Sequence, residues 1–315
     1  MHAAQSINRP IRLLVFLACL LPVSAIGQDK PVEFVATQLS GTLTLIKGGG
    51  GNIVVSAGED GVYLIDDEIK PLSDALLAEI RKISDQAIRF VINTHYHGDH
   101  VGGNETMHQS GAVIIAHDNV LRRMSTEQFN NFRNEVTEPW PLGALPVITF
   151  SEEISLNLNG ETARVYHVAN GHTDGDAIIH FPVSNVIHMG DVFFNGRYPF
   201  IDLDAGGSLQ GTLAGVDMAL GMANEDTRIV PGHGPLGSSS DLLRYRDFLV
   251  QARANVQALI DRGMSLEQTI AARPTAEWDE AMGKVWITPA QMVTFIYNSL
   301  QGVPEFTRLG SNSAN

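Results

Sequence analysis

The chain has 315 residues, 44% hydrophobic and 18% charged, a balance that excludes a disordered protein and leaves room for one large domain or two small ones. Its 21 Lys+Arg stand against 35 Asp+Glu, a formal charge of −14. No basic run offsets this, so no nucleic-acid partner is expected.

Arg9 and Arg12 precede an apolar run from Leu13 to Ile26 that is interrupted by Pro22 and ends in Ser24, Ala25 and Gly27. This is the layout of a secretory signal peptide over residues 1–27, and it predicts a periplasmic or secreted protein. The run falls short of the ~20 residues of a membrane-crossing helix, so no membrane attachment is expected after cleavage. Cys19, the single cysteine, lies inside this leader. The mature chain then has no disulfide and no thiolate, and any metal has to be held by nitrogen and oxygen.

From residue 32, the β-type runs VEFVATQL, TLTLIK, NIVVSA and GVYLID, separated by glycine and acidic turns, predict an antiparallel meander. PLSDALLAEIRKI follows at helical spacing with Ser73 as N-cap, and leads into the strand AIRFVIN. The stretch THYHGDHVGG begins where that strand ends. Next come a short helix at Asn104–Gln109, the strand AVIIAH, a polar helical stretch over Asn119–Asn134, and β-type runs at Val147–Phe150, Ile154–Leu158 and Arg164–Val168. AIIHFP, NVIHMGDVFF and TRIVPGH read as strands, and Ser208–Met222, Leu242–Asp261, Leu266–Ala272 and Pro289–Leu300 as helices. Ser265 with Gln268, and Thr288 with Gln291 behind Pro289, have the spacing of capping boxes. Strands mixed with helices, without repeats or long linkers, predict one layered α/β domain over 28–315, with a core at 32–262 and a helical extension at 263–315.

At a strand end His95 and His97 would point the same way and grip one ion, while Asp99 and His100 face another direction. ANGHTDGD puts His172 in a glycine-flanked turn, NVIHMGDVFF carries Asp191, and RIVPGHGP puts His233 just after a strand. Turns at strand ends are where binding side chains gather on a rigid scaffold. His108, His117, His167, His180 and His188 lie outside these segments and read as packing or surface residues.

HYHGDH, GHT, GD and PGHG, in this order and spacing, closely resemble the metallo-β-lactamase superfamily over roughly residues 32–262. The resemblance implies a four-layer αββα sandwich with a dinuclear site at one edge of its sheets. It implies His95, His97 and His172 as ligands of one metal, Asp99, His100 and His233 as ligands of a second, and Asp191 as the bridge. Asp66 matches an aspartate that supports the ligands from behind, although Asp67 follows it where the family usually has Thr. Two Zn2+ are expected, ~3.5–4 Å apart, with manganese or iron compatible with the same donors. Such metals lower the pKa of water from ~16 to about 7, on the order of 12 kcal/mol in favour of hydroxide. The expected nucleophile is therefore an activated water attacking an acyl carbon, with Asp99 orienting it.

The motif specifies the metals far better than the reaction. Asp191 stands where cysteine-containing β-lactamases have Cys, and so resembles thioesterases of the glyoxalase II type and lactonases. The tail beyond residue 262 is, however, poor in the basic residues with which glyoxalase II holds glutathione. Tyr198 lies near the motif as a lactonase-type tyrosine, Arg197 is placed to bind a substrate carboxylate, and Trp140 is a candidate pocket wall. The expected activity is hydrolysis of a small-molecule cyclic amide, lactone or ester-type carbonyl, β-lactams included. The alternatives are a glyoxalase II-type thioesterase and an iron-dependent dioxygenase or oxygen-reducing protein.

Overall fold

The computed structural model describes residues 32–306; the expected leader lies outside them. The first half runs β1 (Val35–Ser40), β2 (Leu43–Lys47), β3 (Asn52–Gly58), β4 (Gly61–Ile65), α1 (Ser73–Ile83), β5 (Ile88–Ile92), α2 (Gly98–Val101), α3 (Asn104–Gln109), β6 (Val113–His117), α4 (Asp118–Met124), β7 (Gln128–Asn130), β8 (Glu135–Thr137) and β9 (Ile148–Phe150). The second half continues with β10 (Glu153–Leu158), β11 (Glu161–Val168), β12 (Asp176–Phe181), β13 (Val186–His188), α5 (Leu209–Met222), β14 (Arg228–Val230), β15 (Gly237–Ser238) and α6 (Ser239–Ile260). Helices α7 (Leu266–Ala271), α8 (Ala276–Met282) and α9 (Pro289–Gln301) follow.

Seven strands form one sheet in the order β1-β2-β3-β4-β5-β6-β9, and six form a second in the order β10-β11-β12-β13-β14-β15. The expected meander is its first four strands, all paired antiparallel. The strands that follow helices are parallel, β5 to β4 and β6 to β5, as crossovers require.

The side-chain period of two decides the layers. In β4, Tyr63 and Ile65 meet Val165, Ile179 and Phe181 of the other sheet, while Val62 and Leu64 meet Leu76 and Ile80 of α1. On the far side, Ile178 and Ile187 pack under Val216, Leu249, Phe295 and Ile296 from α5, α6 and α9. The result is the αββα sandwich, and sheets covered on both faces explain why these strands read as continuous apolar runs. No described helix is long and apolar enough to cross a membrane.

Three local expectations need correction. Ser73 is the first residue of α1 and not its cap: Pro71 lies in a 3-10 turn, Lys70–Leu72, and the Ser73 hydroxyl donates back to Lys70 O at 2.8 Å. The helix expected over Asn119–Asn134 stops at Met124, because the Ser125 and Thr126 hydroxyls take the Leu121 and Arg122 carbonyls. The chain then turns back as the β7–β8 hairpin, with Phe129 opposite Val136. NVIHMGDVFF is strand only at Val186–His188, since Gly190 at φ +51° opens the 3-10 turn Gly190–Val192. Helix α8 is an addition. Both expected capping boxes are present, at Ser265 and Thr288.

Candidate metal centre

Every candidate donor sits on one rim of the sandwich, in the segments that connect strand ends. His95 and His97 follow β5, Asp99 and His100 lie in α2, His172 precedes β12, Asp191 is in the turn after β13, and His233 follows β14. β13 and β14 are parallel neighbours, so their C-terminal ends deliver Asp191 and His233 side by side. The two-residue strand argument for His95 and His97 does not hold, because β5 ends at Ile92 and His97 is already the N-cap position of α2. Tertiary hydrogen bonds, not strand pleating, aim these rings.

The side chains converge in two sets, His95, His97, His172 and Asp191, and Asp99, His100 and His233, with donor atoms within 4.8 Å of one another in each. In the first, His97 Nδ1 lies 3.0 Å from His95 Nε2 and 2.8 Å from His172 Nε2, and Asp191 Oδ2 lies 3.5 Å from His172 Nε2. In the second, His233 Nε2 is 3.1 Å from Asp99 Oδ2 and 3.4 Å from His100 Nε2. Asp191 joins them: its Oδ2 is 3.5 Å from His233 Nε2 and its Oδ1 is 3.2 Å from His100 Nε2.

The groups behind the rings fix which nitrogen faces inward. His97 Nε2 donates to Asp202 Oδ2 at 2.8 Å, which also accepts from the Tyr96 hydroxyl at 3.0 Å. His172 Nδ1 donates to Phe200 O at 2.8 Å and His100 Nδ1 to Asp66 Oδ2 at 2.7 Å. Thr94 Oγ1 donates to Asp66 Oδ2 at 2.8 Å, leaving its lone pair to accept from His95 Nδ1 at 3.0 Å. Four imidazoles thus turn unprotonated nitrogens toward shared points. Asp66 thus bonds both the His100 ring and Thr94. Asp67, in the place of the family's Thr, takes Gly103 N at 2.9 Å, and burial pushes its carboxyl well above the usual range.

Burial pushes His172 down to about 4 and, with His100 beside it, holds His95 well below the usual imidazole range. Burial opposes ionisation of Asp191 as well, but the imidazoles of His233 and His100 prevail and hold it well below the carboxylate range. His233 rises to about 9 because Asp191 and Asp99 outweigh its burial. These residues fit metal ions: in the first set imidazole lone pairs at 2.8–3.0 Å repel unless a cation lies between them, Asp191 Oδ1 is buried without a hydrogen-bond partner, and all donors are imidazole or carboxylate.

The outlying candidates divide. Arg197 lines a groove of about 370 Å³ beside His233, together with Lys47, Gly48–Gly50 and Asn52. Its Nε has no hydrogen-bond partner among the described residues. Trp140 packs with Val101, Val120 and Met124 against the foot of the α2 loop. Tyr198 turns away from the rim: its hydroxyl donates to Thr275 O at 3.1 Å and Asp279 Oδ1 at 2.9 Å, since the Tyr198 backbone is held by Met282 O. Tyr198→Phe is therefore expected to leave turnover unchanged and to cost about 1 kcal/mol of stability, read by assay and urea unfolding. Asp202 bonds His97, Asn52 bonds the loop that carries His233, and His188 bonds the turn that carries Asp191; no motif spacing marks these three in the sequence.

The sequence profile of the Metallo-beta-lactamase superfamily matches residues 36–233, more than half of the chain. The metallo-beta-lactamase type 2 of Bacillus cereus is 23% identical over 190 residues, 60% of this chain and 69% of that one. The hydroxyacylglutathione hydrolase of Maricaulis maris is 29% identical over 130 residues, 39% of this chain and 41% of that one. A solved metallo-beta-lactamase from Pontibacter korlensis superposes with a TM-score of 0.57 at 18% identity, covering 69% of this chain and 99% of that one. The stereoselective inverting sec-alkylsulfatase Pisa1 from Pseudomonas sp. gives 0.66 at 15%, covering 84% of this chain and 50% of that one. At such identities the two structures speak for the fold alone. The profile match, together with His and Asp donors gathered on one rim of an αββα sandwich, places this chain in the metallo-beta-lactamase superfamily, as a metal-dependent hydrolase.

Proposed function

We propose that the protein uses two metal ions, zinc by preference over manganese or iron, to hydrolyse a small anionic substrate at a lactone, cyclic amide or ester-type carbonyl, β-lactams included. The observation that carries this reading is the adjacency of the donor sets to a groove walled by Arg197 and Lys47. His95, His97 and His172 would hold one ion and Asp99, His100 and His233 the other, with Asp191 between them.

When bound, the ions supply Lewis acidity and a water acidified toward neutral pH. The chain's own side chains do the rest. Asp99, with 26% of its side chain exposed where Asp191 has 5%, is the carboxylate on the open side of the site. It orients the attacking water and accepts its proton. Arg197 and Lys47 seat the substrate's anion, so that the carbonyl is presented over the donors and not left to find them from solution.

Arg197→Ala is then expected to raise KM about tenfold or more for an anionic substrate while leaving kcat, and the KM of an uncharged lactone, unchanged. A fall in kcat for both substrates would remove Arg197 from substrate binding. Asp191 and the relation to a hydroxyacylglutathione hydrolase favour a thioester as a second substrate class.

The direct test is hydrolysis of a chromogenic cephalosporin, an acyl-homoserine lactone and a simple thioester by the zinc-loaded protein, with and without chelator. Chelator-sensitive turnover of one of them names the bond class. Two bound ions without turnover of any would sink this reading and turn attention to iron and oxygen chemistry. Residues 1–27, on the strength of Arg9, Arg12 and the apolar run behind them, are proposed as a cleaved export signal. N-terminal sequencing of the protein recovered from its compartment checks this, and an intact Met1 would refute it.

A further inference from the structure

The three donors of the second set come from opposite halves of the chain. Asp99 and His100 lie in α2 under the first sheet, whereas His233 sits beyond β14 of the second. Something has to hold the halves in register at this point. His233 lies within PGHG, whose two glycines give the backbone little preference of its own.

The corner between β2 and β3 touches all three. Gly51 N donates to Asp99 O at 3.1 Å. A Cβ on Gly51 would lie 2.4 Å from His100 Cε1, so the His100 ring occupies the space that a side chain would need. Asn52, 4% exposed, binds the His233 loop three times: Nδ2 donates to Pro231 O at 2.8 Å and to Gly234 O at 3.1 Å, and the backbone N donates to Gly232 O at 2.8 Å. The two side-chain bonds span 179 and 182 positions of sequence and bracket His233 on both sides.

His188 completes the corner. Its Nε2 donates to Asn52 O at 3.0 Å and its Nδ1 accepts from Gly190 N at 3.2 Å, tying the corner to the turn that carries Asp191. His95, His97 and His172 receive no hydrogen bond from Gly51 or Asn52. Their own supports are Thr94, Asp202 and the Phe200 carbonyl.

We propose that Gly51–Asn52 is the seat of the second metal ion, a pair of positioning residues whose side-chain space and Nδ2 bonds act on the Asp99/His100/His233 site and reach the first only through the shared Asp191 turn, by a backbone bond that substitution of the Asn52 side chain leaves in place. A merely structural corner would weaken both sites together. A seat for one of them makes the two affinities separable, and this is the content of the inference. It rests on the dinuclear reading above.

The test is titration of metal-free protein with Zn2+ against a chromophoric chelator, with bound metal counted by elemental analysis and Co2+ absorption spectra recorded at one and two equivalents. Wild type is expected to bind two ions. Asn52→Ala leaves two loop carbonyls unpaired, and its affinity for the second ion should fall about 10–100-fold with the first unchanged and the one-equivalent Co2+ spectrum preserved. Gly51→Ala, through the clash with the His100 ring, should do the same. Asp202→Asn, which frees His97, should give the opposite pattern and weaken the first ion. Equal loss of both ions in Asn52→Ala and Gly51→Ala, or loss of neither, would overturn the proposal. A wild type that binds one ion only would instead overturn the dinuclear reading itself, so the two failures are distinguishable.

Discussion

Asp99→Asn is expected to lower kcat/KM by about 10²–10⁴-fold, about 3–5 kcal/mol of transition-state stabilisation. The substitution keeps the volume and one carbonyl oxygen, so the packing of α2 is preserved. What it removes is the negative charge. Burial disfavours that charge, yet His100 and His233 hold the Asp99 carboxyl well below the usual range, so at neutral pH it is an ionised acceptor 3.1 Å from His233 Nε2 and 3.7 Å from His100 Nε2. An amide there can neither accept a proton from water nor balance a cation. The measurement is kcat/KM on the best substrate of the panel, with bound metal quantified for each sample so that loss of an ion is separated from loss of chemistry. A variant that holds two ions and retains more than a tenth of the activity would remove Asp99 from the role of orienting the water.

Asp66→Ala is expected to destabilise the metal-free protein by about 3–5 kcal/mol. Asp66 is fully buried and accepts three hydrogen bonds, from Thr94 N at 2.7 Å, Thr94 Oγ1 at 2.8 Å and His100 Nδ1 at 2.7 Å. Truncation leaves all three donors buried and unpaired. It also puts alanine at φ +62°, a left-handed backbone that aspartate tolerates better. Urea unfolding of wild type and variant, both stripped of metal, gives the difference directly. A cost under about 1 kcal/mol would mean that the Thr94 and His100 donors find other partners and that Asp66 is not the post on which the HYHGDH loop is hung. Asp66→Asn retains one acceptor and the tolerated backbone, so its cost should lie between the two.

The parts of this protein that were legible in the sequence are those whose cause is local. Side-chain alternation marked the strands, helical spacing and two capping boxes marked α7 and α9, and the residue types of HYHGDH, GHT, GD and PGHG marked the candidate donors, since imidazole and carboxylate side chains in glycine turns at strand ends are what nitrogen–oxygen metal binding commonly uses. What failed was local preference overruled by contacts. The polar run after Met124 has helical composition but folds as a hairpin, and its Asn130 and Asn131 side chains hydrogen bond to Asp202 and Asp204.

The same division holds within the site. The chemical identity of the donors was determined by the sequence itself. Which nitrogen of each ring faces inward was decided by Asp66, Asp202, Thr94 and the Phe200 carbonyl, groups brought there from up to 105 positions away. Tyr198 shows the converse: seven residues from Asp191 it looked within reach, yet its hydroxyl is held 77 and 81 positions onward by Thr275 and Asp279. Asn52 and His188 carry no motif at all. They matter because two sheets meet at one rim, and only the folded chain brings the β2–β3 corner against the loop that holds His233.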